Sequence, residues 1–411
     1  MMLIRQMTIS TLLAGFLFVG LSGNSVATYA RSSDYTKQTV QEGFYHNAEG
    51  SPLLDLIEQS RSTIDIELYS MTDLNIIGAL KQAVKRGVRV RAIQEPSPVG
   101  GGCKLFTEEP KTDTACQELK SLLKLVNNSG GSYVPFNKAS LCSSSKPGVK
   151  GATANCLQHG KILISDGKFA MLSTGNFNAT NLCDEDENPS VCNRDFTYVA
   201  VDTAVVKGIK KIFDLDLKGK PYNLSSITDP LKRVMTVSPV AKRSLTDFIK
   251  RARKRVQIQN QYIKDPDLIE AIVATAKRGV RVEITISSVC SFGPPTSRER
   301  EVLQPIFESF ENAGVDLRFF TEEILVNGRH GYLHAKAIVV DDQSAWVGSI
   351  NGSTQSLDRN REFGVFFDNE YDVQKLSKIM NSDQRNRGTE TWQESFQCLK
   401  DREHPAGGIT K

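Results

Sequence analysis

Two stretches of the chain repeat one alternation of apolar and polar positions. LLDLIEQSRSTIDIELYSMTDLNIIGALKQAVKRGVRVRAI, from Leu53, aligns without a gap with LTDFIKRARKRVQIQNQYIKDPDLIEAIVATAKRGVRVEIT, from Leu245. Each begins with apolar residues at helical spacing and passes into an alternating run. A loop, a second helical stretch, a Lys-Arg-Gly stop at Gly87 or Gly279 and a valine-rich strand follow. That order predicts an α/β fold. A third shared element, LKSLLKLVNNSGGSYVPF against LQPIFESFENAGVDLRFF, reads as another helix ending in glycine before a strand. The chain is therefore an internal duplication, and 411 residues can bury two cores or one large duplicated core.

The copies differ in their loops. Between the glycine stop and the histidine discussed below, the first copy carries 17 more residues than the second. These fall in EPSPVGGGCKLFTEEPKTDTAC and NKASLCSSSKPGVKGATANC, two Gly-, Ser- and Pro-rich stretches that each hold two cysteines, as surface excursions stapled by disulfides would. The turn-forming stretch KGKPYNLSSITDPLK, Lys218 to Lys232, marks the joint, giving halves at 31–217 and 218–411. Ahead of them, Arg5, the apolar run Leu12 to Leu21 and the small residues Ser25-Val26-Ala27 predict a signal peptide over 1–30, and hence a secreted or periplasmic protein. The run is short for a membrane span, which leaves an uncleaved anchor as the lesser alternative.

Export makes the cysteines intelligible. Eight thiols in an oxidising compartment form an even set that can pair. Proximity suggests Cys103 with Cys116, Cys142 with Cys156 and Cys183 with Cys192, leaving Cys290 for Cys398, although spacing alone does not fix connectivity. No Cys-x-x-Cys spacing favours zinc. With 39% apolar and 24% charged residues, the composition is that of a soluble globular protein. A net charge of +4, from 51 basic and 47 acidic residues, describes a mixed, solvated exterior better than a strongly basic groove.

One constellation occurs in both copies at identical spacing: His159, Lys161, Asp166 and Asn176, then His334, Lys336, Asp341 and Asn351. A lone histidine on an apolar strand is usually a hydrogen-bonded core residue. Equivalent histidines in both copies, drawn from five in the whole chain, point to function instead. Residues i and i+2 of a strand share a face, so each histidine is expected on the strand beside its lysine, with Ile162 and Ile164, or Ala335 and Ala337, facing the other way.

This pattern resembles the signature of the phospholipase D superfamily, His-x-Lys, four residues, Asp, six residues, Gly-Ser-x-Asn. The second copy matches it through Gly348-Ser349-Ile350-Asn351; the first departs, with Ser173-Thr174-Gly175-Asn176. Family members also carry an acidic residue eleven positions after the asparagine, placed to hold a catalytic histidine. Glu362 stands at that offset, and Asp195 in NRDF reaches it once eight residues of the loop between Cys183 and Cys192 are set aside.

The resemblance implies two phospholipase D-like α/β/α sandwich repeats about a pseudo-twofold axis, with the active site exposed in the cleft between them. One histidine would attack phosphorus to give a phosphohistidine and the other would act as acid and base, taken here as His159 and His334, an order the near-symmetry leaves open. Lys161, Lys336, Asn176 and Asn351 would donate to the nonbridging oxygens, with Thr174 and Ser349 as lesser phosphate contacts. Asp195 and Glu362 would hold the imidazole tautomers, while Asp166 and Asp341, farther along, would brace the motif. No metal or cofactor is expected. The strand-end loops at Gln94 and Ser287 would rim the cleft, where Phe292 would meet an acyl chain. The expected substrate is a phospholipid at a membrane surface, acted on by a monomer that completes its site within one chain. The alternatives are an exported nuclease of the same superfamily and a noncatalytic phosphate-binding protein.

Overall fold

The computed structural model describes residues 39–399 except 48–51, 101, 107–112, the Cys142 side chain, 143–155, 184–188 and 202. The expected signal peptide lies outside the described residues. Among those described, no helix is long and apolar enough to cross a membrane.

The duplication is realised as two seven-stranded sheets. The first half supplies β1 (Gly43–His46), β2 (Thr63–Leu68), β3 (Arg89–Gln94), β4 (Ser132–Pro135), β5 (Lys161–Ser165), β6 (Phe169–Ser173), β7 (Val191–Arg194) and β8 (Phe196–Val201). The second supplies β9 (Met235–Ser238), β10 (Arg255–Asn260), β11 (Arg281–Ser287), β12 (Asp316–Phe320), β13 (Leu325–Val326), β14 (Arg329–Leu333), β15 (Ala337–Val340), β16 (Ser344–Gly348) and β17 (Glu362–Phe367). The sheet orders are β1-β8-β6-β5-β2-β3-β4 and β9-β17-β16-β15-β10-β11-β12, one topology written twice. In each, three parallel strands join an antiparallel meander at β2–β5 or β10–β15.

Local chemistry repeats with the topology. Asp73 and Asp265 cap helices Leu74–Lys85 and Pro266–Lys277 by accepting from the N–H groups of Ile76 and Leu268 at 2.8 and 3.1 Å. Both helices end where Gly87 and Gly279 take φ of 87° and 85°, a conformation open to glycine and costly for other residues.

The outer face of each sheet packs under helices in its own core, around Leu56, Ile66, Leu80 and Leu119 in one half and Ile249, Ile258, Ile272 and Phe310 in the other. The inner faces share a single core. Ile162, Ile164 and Leu172 meet Ala337, Val339, Val347 and Val365 there, flanked by helices Ala204–Lys218 and Glu370–Gln384. The halves are thus welded by apolar burial, the main favourable contribution to such an interface.

A small third sheet crosses the joint. β14 runs parallel to β7, pairing Tyr332 with Asn193 and Leu333 with Arg194, and β13 pairs with β14. Disulfides join Cys103 to Cys116, Cys183 to Cys192 and Cys290 to Cys398, three of the four expected pairs. Cys156 is also disulfide-bonded, and the side chain of Cys142, its expected partner, lies outside the described residues.

Candidate functional site

The His-x-Lys motifs sit at the seam, and not in the setting the alternation predicts. β5 begins at Lys161 and β15 at Ala337, so both histidines precede their strands. Backbone pairing with the opposite half holds them instead. His159 N–H donates to the Arg361 carbonyl at 2.8 Å, and His334 N–H donates to the Arg194 carbonyl at 3.2 Å. An exposed cleft is also corrected. His334 is 7% exposed, Lys161 1% and Lys336 0%, while the His159 side chain keeps 13%, so the groups are enclosed where two strand breaks meet, with a partial opening at His159.

Each imidazole is braced by a carboxylate from the other half. His159 Nδ1 lies 2.9 Å from Glu362 Oε2, and His334 Nδ1 lies 3.0 Å from Asp195 Oδ1. An ionised carboxylate only accepts, so the proton of the neutral ring sits on Nδ1 and the lone pair on Nε2. Burial pushes the His159 pKa down against the opposing pull of Glu362. Burial, followed by the charge of Lys336, lowers His334 to about 4. Both carboxyls stay ionised: burial raises each, but the neighbouring histidine and lysine charges outweigh it and leave both below the ordinary range.

The lysines are cations held against a desolvation penalty. Burial takes Lys336 down to about 8 and lowers Lys161 strongly. Each ammonium donates to the carbonyl of its own motif's histidine, and Lys161 Nζ also stands 5.3 Å from the centre of the Tyr69 ring. Lys336 Nζ also donates to the Thr174 carbonyl of the opposite motif at 3.5 Å, which brings the two motifs to one seam. Asn176 Oδ1 and Asn351 Oδ1 are buried without a hydrogen-bond partner among the described residues. The Tyr69 and His159 rings meet edge to face, with centroids 4.9 Å apart.

Thr174 and Ser349, expected at phosphate, are placed otherwise. Thr174 Oγ1 donates to Asp195 Oδ1 at 2.6 Å and accepts from Phe196 N–H at 2.9 Å. Ser349 Oγ donates to the Phe363 carbonyl at 3.4 Å and accepts from Phe363 N–H at 3.1 Å. Both hydroxyls hold the strand that carries the bracing carboxylate. The displaced glycine of the first motif has a related role. A Cβ on Gly175 would stand 2.7 Å from Asp195 Cγ, so a side chain there would push the carboxylate away.

Asp166 and Asp341 do not touch the reacting groups; they brace the backbone behind the motif. Asp166 accepts from the N–H groups of Arg61, Ser62 and Thr63, and Asp341 from those of Arg253, Lys254 and Arg255. Burial raises both carboxyls, but these backbone donors bring them below the ordinary range.

Several members of the site escape sequence reasoning. Asn181 and Ser356, each five residues past the motif asparagine, donate to Asp195 Oδ2 at 2.7 Å and to Glu362 Oε1 at 2.5 Å. Their equal offset is a signal, hidden because the residue types differ. The arginines of NRDF and NREF also clamp across the seam. Arg194 pairs with Asp383 at 2.9 Å, and Arg361 with Asp216 at 2.8 Å, each aspartate lying on a helix of the opposite half. Gln259 donates to Asp383 at 3.0 Å, and its counterpart 192 positions earlier is Glu67, a buried carboxyl. Burial and then the Asp216 charge push Glu67 well above the ordinary range.

The arrangement therefore presents two imidazoles with Nε2 lone pairs, two ammoniums and two side-chain amides to one centre, the equipment of phosphoryl transfer. Comparison with known proteins agrees. A family described as "Cardiolipin synthase, PLD-like domain" matches residues 53–217 and 245–384. The chain is 28% identical over 240 residues to a cardiolipin synthase of Clostridium perfringens (strain SM101 / Type A), covering 53% of this chain and 47% of that protein. It is 22% identical over 355 residues to the probable cardiolipin synthase YwiE of Bacillus subtilis (strain 168), covering 80% and 62%. It thus spans about half to two thirds of the length of these curated relatives. The crystal structure of a phosphatidylserine synthase of Haemophilus influenzae Rd KW20 shares the fold, with a TM-score of 0.57 at 14% identity over 86% of this chain and 88% of that one. The duplicated motif, the repeated sheet order and a family match over both halves place this chain in the phospholipase D superfamily, among its cardiolipin synthase-type PLD-like domains.

Proposed function

We propose that the protein is a phospholipid phosphodiesterase of the phospholipase D type, which exchanges or hydrolyses the head-group ester through a phosphohistidine. The observation that carries this reading is the crossed bracing of a half-buried and a buried imidazole, His159 and His334, beside two buried lysines. In the first step His159 Nε2 forms a bond to phosphorus while the bond to the head-group oxygen breaks, and protonated His334 gives its proton to that oxygen. In the second, His334 Nε2 removes a proton from an acceptor alcohol or water, whose oxygen displaces His159. Lys161 and Lys336 neutralise the nonbridging oxygens in both steps, inside an enclosed site where such interactions are strong. The approaching phosphate anion raises His334 from its low free value and loads it with the proton the first step requires.

Transfer to an alcohol suits an enclosed site, because a buried intermediate is shielded from bulk water. The names of the curated relatives favour transfer over hydrolysis as the principal reaction. Both halves of the site come from one chain, so a monomer suffices, and the leader expected over 1–30 would deliver it outside the cytoplasm.

The test incubates the mature chain separately with phosphatidylglycerol vesicles and with single-stranded DNA. Released glycerol, accompanied by phosphatidic acid or a double-phosphatidyl product, supports the reading. Shortened DNA with intact lipid overturns it in favour of a nuclease, and no product from either overturns it in favour of a noncatalytic binder.

A further inference from the structure

The second half holds a cavity of about 310 Å³ beside the phosphoryl centre, and we propose that it receives an acyl chain of the lipid substrate. The proposal rests on the phospholipid reading above. The volume lies near the lower end of small-molecule sites, about 300–1,000 Å³.

Position connects the cavity to the chemistry. Tyr332, one of its walls, is two residues before His334, and the two rings lie 6.4 Å apart. Tyr262, another wall, accepts through its carbonyl from the N–H of Gly352, next to Asn351, at 3.2 Å. The floor is apolar: Ile286, Leu303 and Phe307 are 3%, 7% and 1% exposed. Phe292 stands at the mouth, 45% exposed and edge to face on Tyr332 at 5.3 Å. An apolar side chain left in water above an apolar hollow is stabilised by a ligand that covers it.

Charge narrows the occupant. Lys264 Nζ is 5.3 Å from the centre of the Tyr262 ring, so a cation already uses that aromatic face. A second cation, such as a quaternary ammonium head group, would be repelled, whereas a chain trailing from an anionic phosphate would not. Glu299 at the rim is directed to the start of its helix, where it accepts from Thr296 N–H and Oγ1 at 2.8 Å.

The corresponding positions of the first half differ in chemistry. Where the second half has Tyr262, Lys264 and Ile286, the first has Ser70, Thr72 and Gln94. Next to Gln94, Glu95 is engaged by Lys138 at 2.7 Å and by Gln158 N–H at 2.9 Å. The duplication gives a symmetric phosphoryl centre with unlike flanks, and a diester with two unlike substituents requires unlike flanks. During in-line displacement the retained alkoxide is equatorial, so its chain leaves phosphorus sideways, toward a flank.

The experiment compares wild type with Phe292→Ser, at the exposed mouth, and Leu303→Gln, on the floor. Substrates are dioctanoyl- and dibutyryl-phosphatidylglycerol and the chain-free diester bis(p-nitrophenyl) phosphate. The expected result is a fall of about tenfold or more in kcat/KM for the dioctanoyl lipid relative to the dibutyryl lipid, with the chain-free rate unchanged. Phe292→Ser alone carries the decision if Leu303→Gln fails to fold. Equal loss on all three substrates, or no loss on any, overturns the acyl site. Loss confined to single-stranded DNA cleavage overturns it in favour of base stacking on Phe292. A wild type that cleaves the chain-free diester but neither lipid defeats the phospholipid reading itself, which is a separate result.

Discussion

Nδ1 of His159 and Oε2 of Glu362 stand 2.9 Å apart although 203 positions and the joint between the halves separate them. The mirror pair, His334 and Asp195, closes to 3.0 Å across 139 positions. Neither half holds its own histidine. Each imidazole is aimed by the strand and carboxylate of its partner half, so the site forms only when the halves are packed together.

Crossed bracing predicts how the carboxylates act. Glu362→Gln keeps the shape but lets the ring take the wrong tautomer, and on the order of 10³- to 10⁴-fold loss of kcat is expected, by analogy with a histidine deprived of its orienting carboxylate. Circular dichroism and the unfolding midpoint should change little. Because Glu362 serves the proposed nucleophile, the variant is expected to stop formation of the phosphoenzyme. Asp195 serves the acid and base of both steps, so Asp195→Asn should slow formation and release of the phosphoenzyme alike, visible as slow turnover without an initial burst of head group.

The pH dependence follows from burial. His159 works as a nucleophile when neutral, and its pKa is lowered from 6.5, so the acid limb of kcat/KM should fall below pH 6.5. Lys336 works when protonated and is lowered to about 8, so kcat/KM should decline as pH rises through about 8. Bound phosphate favours the ammonium, so the alkaline limb of kcat should lie at higher pH than that of kcat/KM. Rate profiles under the two substrate regimes check both statements.

The clamps across the seam should matter for stability first. Arg361→Met leaves Asp216 buried without its cation and is expected to cost about 3–5 kcal/mol. Glu67→Gln has the opposite sign. The folded state favours protonated Glu67, so that preference stabilises fully below the ordinary value of 4.5 and is progressively lost as pH rises from there toward the raised folded value. Glutamine never ionises, so this variant should match wild type in acid and be increasingly more stable above that window. Denaturation curves at several pH values measure the difference.

Asp166 and Asp341 should separate stability from catalysis. Replacing either by alanine removes the acceptor for three backbone N–H groups and is expected to cost about 2 kcal/mol. Turnover of the folded fraction should stay within a few fold of wild type. Thermal unfolding and steady-state kinetics on the same samples distinguish the two effects.

Much of this architecture is legible in the sequence. The gapless repeat carries the sheet order, because helix caps such as Asp73 and Asp265 and stops such as Gly87 and Gly279 recur with it. The histidines and lysines are equally plain, since costly side chains at matched spacing in two copies have no structural excuse. What alternation cannot reveal is pairing between halves. Nothing local to His159 shows that its strand has yet to begin, or that Arg361 will supply its backbone partner. Thr174 looked like a phosphate donor because its hydroxyl matches a motif position, but the nearest strong acceptor in three dimensions is Asp195. Asn181 and Ser356 stayed hidden because equivalent places carry different donors to the same kind of carboxylate.

The most direct test of the shared centre is to trap the covalent intermediate. His334→Ala, mixed with phosphatidyl-p-nitrophenol, whose leaving group needs no proton, and quenched in alkali, should carry one phosphatidyl adduct per chain, mapped by mass spectrometry to His159, and His159→Ala should carry none. Adducts on both histidines of one chain, an adduct on neither, or undiminished head-group release by the double variant would contradict a single phosphorus served by both halves.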